Sequence, residues 1–183
     1  MVNIKFAKVR PDAIIPSKRN EDMGYDIYAC FDEDYMVINP HETKLIPTGI
    51  ASACDHGYGF LLFERGSTGS KGIARRCGVI DSGYRDEWFA CLTNTTNKVM
   101  FISKLSESET YSKYYGDVMP ESFVYPYSKA IVQAIVTQVL ETNEEELAYE
   151  DLKAIPSERG LGKLGSSLKW ESIILNIALI RIQ

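Results

Sequence analysis

Gly78-Val79-Ile80-Asp81-Ser82-Gly83-Tyr84 is the stretch on which the reading of this chain turns. A β-branched pair runs into an aspartate and then a Ser-Gly step, the pattern of a strand entering a tight hairpin whose glycine takes positive φ. Asp81 is thereby predicted to be held rigidly at the turn. Three residues on, Tyr84 offers a flat ring on which a cyclic substrate can rest while the carboxylate accepts a proton from water. The same residues also satisfy plain turn chemistry, so the segment acquires meaning only from the rest of the chain.

To either side, apolar and β-branched runs recur at Ile4-Val9, Tyr25-Ala29, Tyr35-Ile38, Thr43-Pro47, Gly59-Phe63, Glu87-Leu92, Val99-Ile102 and Ile131-Val139. Turn signals such as Asn39-Pro40, Pro47-Thr48-Gly49 and His56-Gly57 separate them. This rhythm predicts an all-β barrel or jelly roll. One helix is expected, from Asn143 to Ala154, with Asn143 as cap and Glu144, Glu145 and Glu146 in the first turn, where the helix dipole favours them. Ser103 to Ser128 is polar, tyrosine-rich and without clear period, and reads as a long surface excursion of the kind that faces function or a partner. Residues 1–156 are expected to form the barrel domain, and residues 157–183 a C-terminal arm with an extra apolar tail.

Composition bounds what such a barrel can do. The 183 residues suffice for one core, and 45% hydrophobic with 25% charged residues is an ordinary soluble globular balance. The net charge of -5 argues against binding a nucleic-acid backbone, and Arg75-Arg76 reads as solvated surface. Four cysteines without paired spacing and only two histidines lead us to expect no structural zinc. No charged leader with an apolar run opens the chain, so free thiols in a reducing cytoplasm are expected. The apolar stretch Ile173 to Ile182 is far shorter than the roughly 20 residues of a membrane span, and Asn176 and Arg181 interrupt it.

Four further segments carry chemistry. Met23-Gly24-Tyr25-Asp26-Ile27-Tyr28-Ala29 sets an acid at a strand start, behind a glycine. Arg65-Gly66-Ser67-Thr68-Gly69-Ser70-Lys71-Gly72 combines glycine, hydroxyl and cation, the composition that converges on phosphate. It is not a P-loop, because Lys71 is followed by Gly72 instead of a hydroxyl residue. Lys129-Ala130-Ile131-Val132-Gln133-Ala134-Ile135-Val136 is a strand with a lone glutamine, which serves either as a satisfied core group or as a ligand contact. Ser157 to Ser167 is a second loop of glycine, hydroxyl and cation, which reads as a linker unless an anion orders it.

In their order and character these five segments, spanning about Gly24 to Ser167, resemble the homotrimeric all-β dUTP diphosphatases (dUTPases). Gly78 to Arg85 is the most specific match. The resemblance implies a distorted jelly roll with a mobile C-terminal arm, and hydrolysis of dUTP to dUMP and pyrophosphate with Mg2+ bridging the phosphates. It implies that Asp81 orders and deprotonates the attacking water, that Tyr84 packs under deoxyribose and excludes a 2'-hydroxyl, and that the backbone of Gly78, Val79 and Ile80 reads uracil. Arg65, Gly66, Ser67 and Gln133 would serve the phosphates, Asp26 the metal through water, and Arg159, Leu164, Gly165 and Ser166 would close over the nucleotide. Sites formed between the subunits of a homotrimer are implied as well.

The chain departs from that pattern at several positions. Gly66 stands where the family has serine, so Ser67 or Thr68 must supply the hydroxyl, and Asp86 stands where the family has glycine. Leu164 replaces the aromatic that stacks on uracil, a loss of about 0.5–1.5 kcal/mol of binding. Lys163 and Leu168 replace glycines, and Leu168 to Gln183 extends past the usual end, as an extra strand or a hindrance to the arm. Two alternatives follow. One is a catalytically weak, nucleotide-gated binding protein that meets a protein partner through residues 103–128 or 168–183. The other is a dCTP deaminase, which needs a glutamate on the strand after the hairpin, where Trp88 to Asn94 offers no carboxylate beyond Glu87.

Overall fold

The large apolar side chains of this sequence need a two-sided wall to bury them, and short strands on opposing sheets supply it. The computed structural model describes residues 1–115 and 121–164. Gly165, Ser166, residues 116–120 and the tail from Leu168 lie outside the described residues. Contacts divide the chain into two units, Met1–Glu141 and Thr142–Gln183.

The first unit carries β1 (Ile4–Lys8), β2 (Tyr25–Ile27), β3 (Tyr35–Ile38), β4 (Thr43–Pro47), β5 (Ile50–Cys54), β6 (Tyr58–Glu64), β7 (Ile73–Arg75), β8 (Val79–Asp81), β9 (Phe89–Asn94), β10 (Val99–Ser103), β11 (Ser122–Pro126) and β12 (Val132–Gln138), with two helices, α1 (Gly66–Gly69) and α2 (Glu107–Tyr115). The strands form four small sheets in the orders β1-β5, β11-β10-β3, β2-β12-β6-β8 and β4-β9-β7. The fold is therefore the expected all-β jelly-roll class. Trp88, Phe60, Ile38, Ile46, Met100 and Ile131 fill the core. Phe60 meets Trp88 edge-on at 5.0 Å, and Phe6 of β1 closes on both at 5.9 Å.

β5, β7, β11, α1 and α2 escaped the sequence pattern, and for β5 and the α2–β11 segment the physical reason is plain. β5 reads Ile-Ala-Ser-Ala-Cys, with few of the residues that mark strands, because Phe6 lies opposite Ser52 and the neighbouring rings leave room for small side chains only. Residues 103–128 are no irregular excursion. β10 and β11 pair in parallel, a connection that requires a crossover, and α2 is that crossover. Its start is a capping box: the Ser106 amide donates to Glu109 Oε2 at 3.0 Å and the Glu109 amide donates back to Ser106 Oγ at 3.3 Å. The Ser106 hydroxyl, and after it the Ser106 amide, donate to the Glu109 carboxyl and hold it below its usual range. α2 packs on β10 with tyrosines, Tyr114 meeting Phe101 at 5.0 Å and Tyr111 at 6.0 Å, so an aliphatic period is absent.

Two further expectations are corrected. In the second unit, α3 spans Tyr149–Ala154 with Ala148 as its extended N-cap, so Asn143 and Glu144 to Glu146 precede the helix instead of opening it. The Asp81 turn is not a hairpin between adjacent strands. β8 pairs with the earlier strand β6, and β9 pairs with β4 and β7. The turn closes by the Tyr84 amide donating to Asp81 O at 3.1 Å, and Gly83 is not among the residues with positive φ.

Gly49 does need its positive φ, +68°. A Cβ there would come 2.7 Å from Ala13 Cβ and 2.8 Å from Cys30 Sγ, both in the core. Gly49→Ala is expected to cost at least about 2 kcal/mol through backbone strain and overpacking, measured as a lower urea midpoint at unchanged slope.

Candidate functional site

Asp26 lies at the centre of β2, where its backbone is fixed from both sides: it stands opposite Gln133 of β12, and its amide donates to Ser17 O at 3.0 Å. Arg65 ends β6 and opens the single turn α1, its amide donating to Thr68 Oγ1 at 3.0 Å. The two side chains meet as a fork, Arg65 Nε 2.9 Å from Asp26 Oδ1 and Nη2 donating to Oδ2 at 3.1 Å. A planar guanidinium bound on one edge in this way keeps its other edge oriented for a second anion. That edge, Nη1, reaches Ser67 Oγ and Ala130 O at 3.4 Å each.

The glycine-rich stretch after Arg65 is a helical turn. Thr68 is buried, its hydroxyl bound to Arg65 O, and the Thr68 and Gly69 amides donate to the same carbonyl. The exposed groups of this turn are therefore the Ser67 hydroxyl and the backbone of Gly66 and Ser67. Space around Gly66 is open: a Cβ added there would meet no atom within 4 Å. Gln133 donates from Nε2 to Glu64 O at 2.8 Å, and Gly24 stays small because its Cβ would sit 3.0 Å from Gln133 Oε1. Asp26, Arg65, Ser67 and Gln133 line one cavity of about 1020 Å³, together with Lys18 and Lys129. The sequence did not single out those two lysines, since each sits in a turn where a cation reads as solvated surface.

The second cluster occupies the far edge of the same sheet. On β8, Ile80 is buried while Val79 and Asp81 are exposed, the alternation of a strand with one covered face. Gly78 accepts the Leu62 amide at 2.7 Å, and a Cβ on it would lie 2.8 Å from Leu62 Cβ, so its backbone is fixed in close contact with β6. The Tyr84 hydroxyl donates to Glu87 O at 3.1 Å, and Arg85 Nη1 donates to Ser82 O at 2.5 Å and Ser52 O at 3.3 Å, which ties the turn to the barrel. Glu87 is buried, and its Oε1 accepts the Gly49 amide at 2.8 Å and Arg10 Nε at 3.2 Å. The carboxylate that a deaminase would need is thus committed to the protein's own backbone.

Strand register measures the gap between the two clusters. Asp26 lies across from Gln133 and Gln133 from Phe63, whereas Asp81 lies across from Gly59, near the other end of β6. Three strand spacings and four residues of rise put Asp81 roughly 19 Å from Asp26. In the second unit, the Gly160 amide donates to Ser157 Oγ at 2.9 Å, Gly160 takes φ +55°, and Arg159 Nη2 donates to Lys163 O at 3.3 Å. Leu164 is fully exposed.

Comparison with known proteins agrees with this fold. The dUTPase family model matches residues 10–106. The deoxyuridine 5'-triphosphate nucleotidohydrolase of Nautilia profundicola is 28% identical over 176 residues, covering 92% of this chain and 100% of the relative. That of Mycolicibacterium gilvum is 32% identical over 96 residues, covering 50% of this chain, and the match spans 60% of that relative's length. Among solved structures, a mutant dUTPase of Staphylococcus bacteriophage 80alpha with dUpNHpp superposes with a TM-score of 0.66 at 20% identity, covering 90% of this chain and 98% of that one. A mutant dUTPase from phage phi11 of S. aureus, described with a structural Mg(II) ion, gives 0.61 at 18% identity over 81% and 99% of the two chains.

At the rim of the cavity, Asp22 is held by Arg19, whose guanidinium and amide both donate to it, and its pKa falls to about 2. A depressed carboxyl contributes stability above its unfolded pKa and loses it as pH falls through the folded value. The Asp22 side-chain carbon resonance should therefore titrate with a midpoint near pH 2 by NMR, and shift upward in Arg19→Gln, which removes the guanidinium and keeps the backbone amide.

Proposed function

Because this chain belongs to the dUTPase family, we propose that it hydrolyses dUTP to dUMP and pyrophosphate at sites completed between the subunits of a homotrimer. The observation that carries this reading is the roughly 19 Å between Asp81 and Asp26 within one chain, far beyond the one-water reach over which a carboxylate serves a phosphate chain held by Arg65. A second copy that brings its Arg65 side to the Asp81 side of the first removes the gap, and closed threefold symmetry repeats the arrangement three times.

In that site, the exposed Asp81 accepts a proton from a water that attacks the α-phosphorus, and pyrophosphate leaves as the bond to the β-phosphate breaks. Tyr84, pinned through its hydroxyl, keeps its ring under the deoxyribose, where an added 2'-hydroxyl has no room. The fixed backbone of Gly78, Val79 and Ile80 presents amides and carbonyls to the uracil edge. The free edge of Arg65, the Ser67 hydroxyl and the adjacent amides bind the phosphates, with Gln133 behind them. Of the two candidate hydroxyls, Ser67 takes the role, because Thr68 is buried and bonded internally.

Magnesium fits this set as an outer contact. Both Asp26 oxygens are engaged by Arg65, so Asp26 would hold the ion through water, and the ion would supply neutralisation of charge on the phosphates. Arg159, Leu164, Gly165 and Ser166 of the C-terminal arm close over the nucleotide, the last two lying outside the described residues. No helix among the described residues is long and apolar enough to cross a membrane, and a cytoplasmic site of action accords with a nucleotide substrate.

Asp81→Asn keeps the shape of the site and removes the base, so pyrophosphate release from dUTP should fall by at least a thousandfold while dUTP binding by calorimetry persists. Undiminished turnover would refute the assignment of the base. Arg65→Ala should be similarly impaired alone. Co-refolding the two inactive variants in equal amounts should restore roughly a quarter of wild-type activity if each site draws on two chains, and none if each site lies within one chain. Removing residues 157–183 should lower turnover with little change in melting temperature.

A further inference from the structure

The Tyr84 turn is held from behind by an ion pair between the buried Glu87 and the partly exposed Arg10, which touches no nucleotide in the proposed site. Glu87 is only 8% exposed, yet it carries a carboxylate. Such burial is costly unless the charge is paired and hydrogen-bonded. Here a single oxygen, Oε1, takes both bonds: the Gly49 amide at 2.8 Å and Arg10 Nε at 3.2 Å. The pairing raises the Arg10 pKa, chiefly through the hydrogen bond to Glu87.

Gly49 cannot shift to follow a displaced carboxylate. Its carbonyl accepts the Val9 amide at 2.7 Å and the Arg10 amide at 3.2 Å, and its α-carbon is packed against Ala13 and Cys30. Arg10 therefore meets this hub twice, through its backbone at Gly49 and through its side chain at Glu87. On the other side, the backbone of Glu87 receives the Tyr84 hydroxyl at 3.1 Å. Next to it the Trp88 amide donates to Ile50 O at 2.8 Å, and Trp88 O accepts Thr48 Oγ1 at 2.7 Å. The Tyr84 hydroxyl is thus held by the carbonyl of a residue whose own side chain is fixed by Gly49 and Arg10.

We infer that the Arg10–Glu87 pair, anchored on Gly49, is a positioning device for Tyr84 and so a determinant of deoxyribose-over-ribose selectivity. This rests on the proposed reading of Tyr84 as the sugar filter. A filter that works by leaving no room for one oxygen is sensitive to displacement of the ring by a fraction of an ångström, and a misplacement of about 1 Å at a reacting centre can cost a hundredfold in rate. Loss of the pair should therefore blur the sugar discrimination while the Asp81 chemistry on dUTP is largely kept.

The test compares kcat/KM for dUTP and UTP in the full-length enzyme, in Glu87→Gln, Arg10→Gln and Tyr84→Ala, with circular dichroism and melting temperature on each. Glu87→Gln preserves an acceptor for the Gly49 amide and removes the charge. Arg10→Gln acts at a side chain more than a third exposed and serves if the buried substitution fails to fold. The expected result is a fall of about tenfold in the dUTP-to-UTP ratio in either variant, with kcat for dUTP within about threefold of wild type, and no further fall when the two are combined. A ratio unchanged in both, while Tyr84→Ala lowers it, would overturn the inference and leave the proposed function standing. A ratio unchanged in Tyr84→Ala as well would overturn the role of Tyr84 as the filter, and this inference with it.

Discussion

The antiparallel ladder between β6 and β12, from Val132 opposite Glu64 to Gln138 opposite Tyr58, is the constraint on which the rest of the molecule depends. Its outer neighbours are β2 on one side and β8 on the other, and these carry Asp26 and Asp81. A slip of β12 by one residue against β6 would exchange the faces of its side chains. Gln133 would then leave the cavity, and the apolar residues Val132 and Ala134 would leave the core. The burial of those side chains and the placing of Gln133 are therefore consequences of one register.

Much of this was legible in the sequence, and what was not has identifiable causes. Apolar runs gave away β6, β9, β10 and β12, because each sends several side chains into the core. β5 stayed hidden since its small residues answer to Phe6, a partner far away in the chain. α2 stayed hidden since its buried side are tyrosines, whose polar tips mask a helical period, although Ser106 and Glu109 carried the capping signal openly. The triple glutamate misled in the opposite direction: acids favour a helix start, but nothing buries the residues that follow Asn143, and the helix begins only at Tyr149.

At the candidate site, the sequence offered residue types and no arrangement. Asp26, Arg65, Ser67 and Gln133 line one cavity, and the internal bonding of Thr68 leaves Ser67 as the exposed hydroxyl of the turn. The ion pair between Asp26 and Arg65 had no local signal, because it joins elements that no short-range pattern links. Glu87 was noticed only as a stray acid at a strand start. Its commitment to Gly49 and Arg10 depends on a loop whose backbone could be placed only once the barrel was closed.

The pairing of β2 with β12 has a further meaning for how the protein comes into being. Tyr25 to Ile27 emerge early during synthesis, whereas their partners Val132 to Ala134 come near the end of the first unit. Contacts between such distant segments are slow to form, because the chain must be closed into a long loop before they contribute. A nascent chain that ends before β12 therefore leaves Asp26 on a strand without its neighbour. The cavity that Asp26, Arg65 and Gln133 line is complete only once β12 is added, after the apolar core has had most of its chain to assemble.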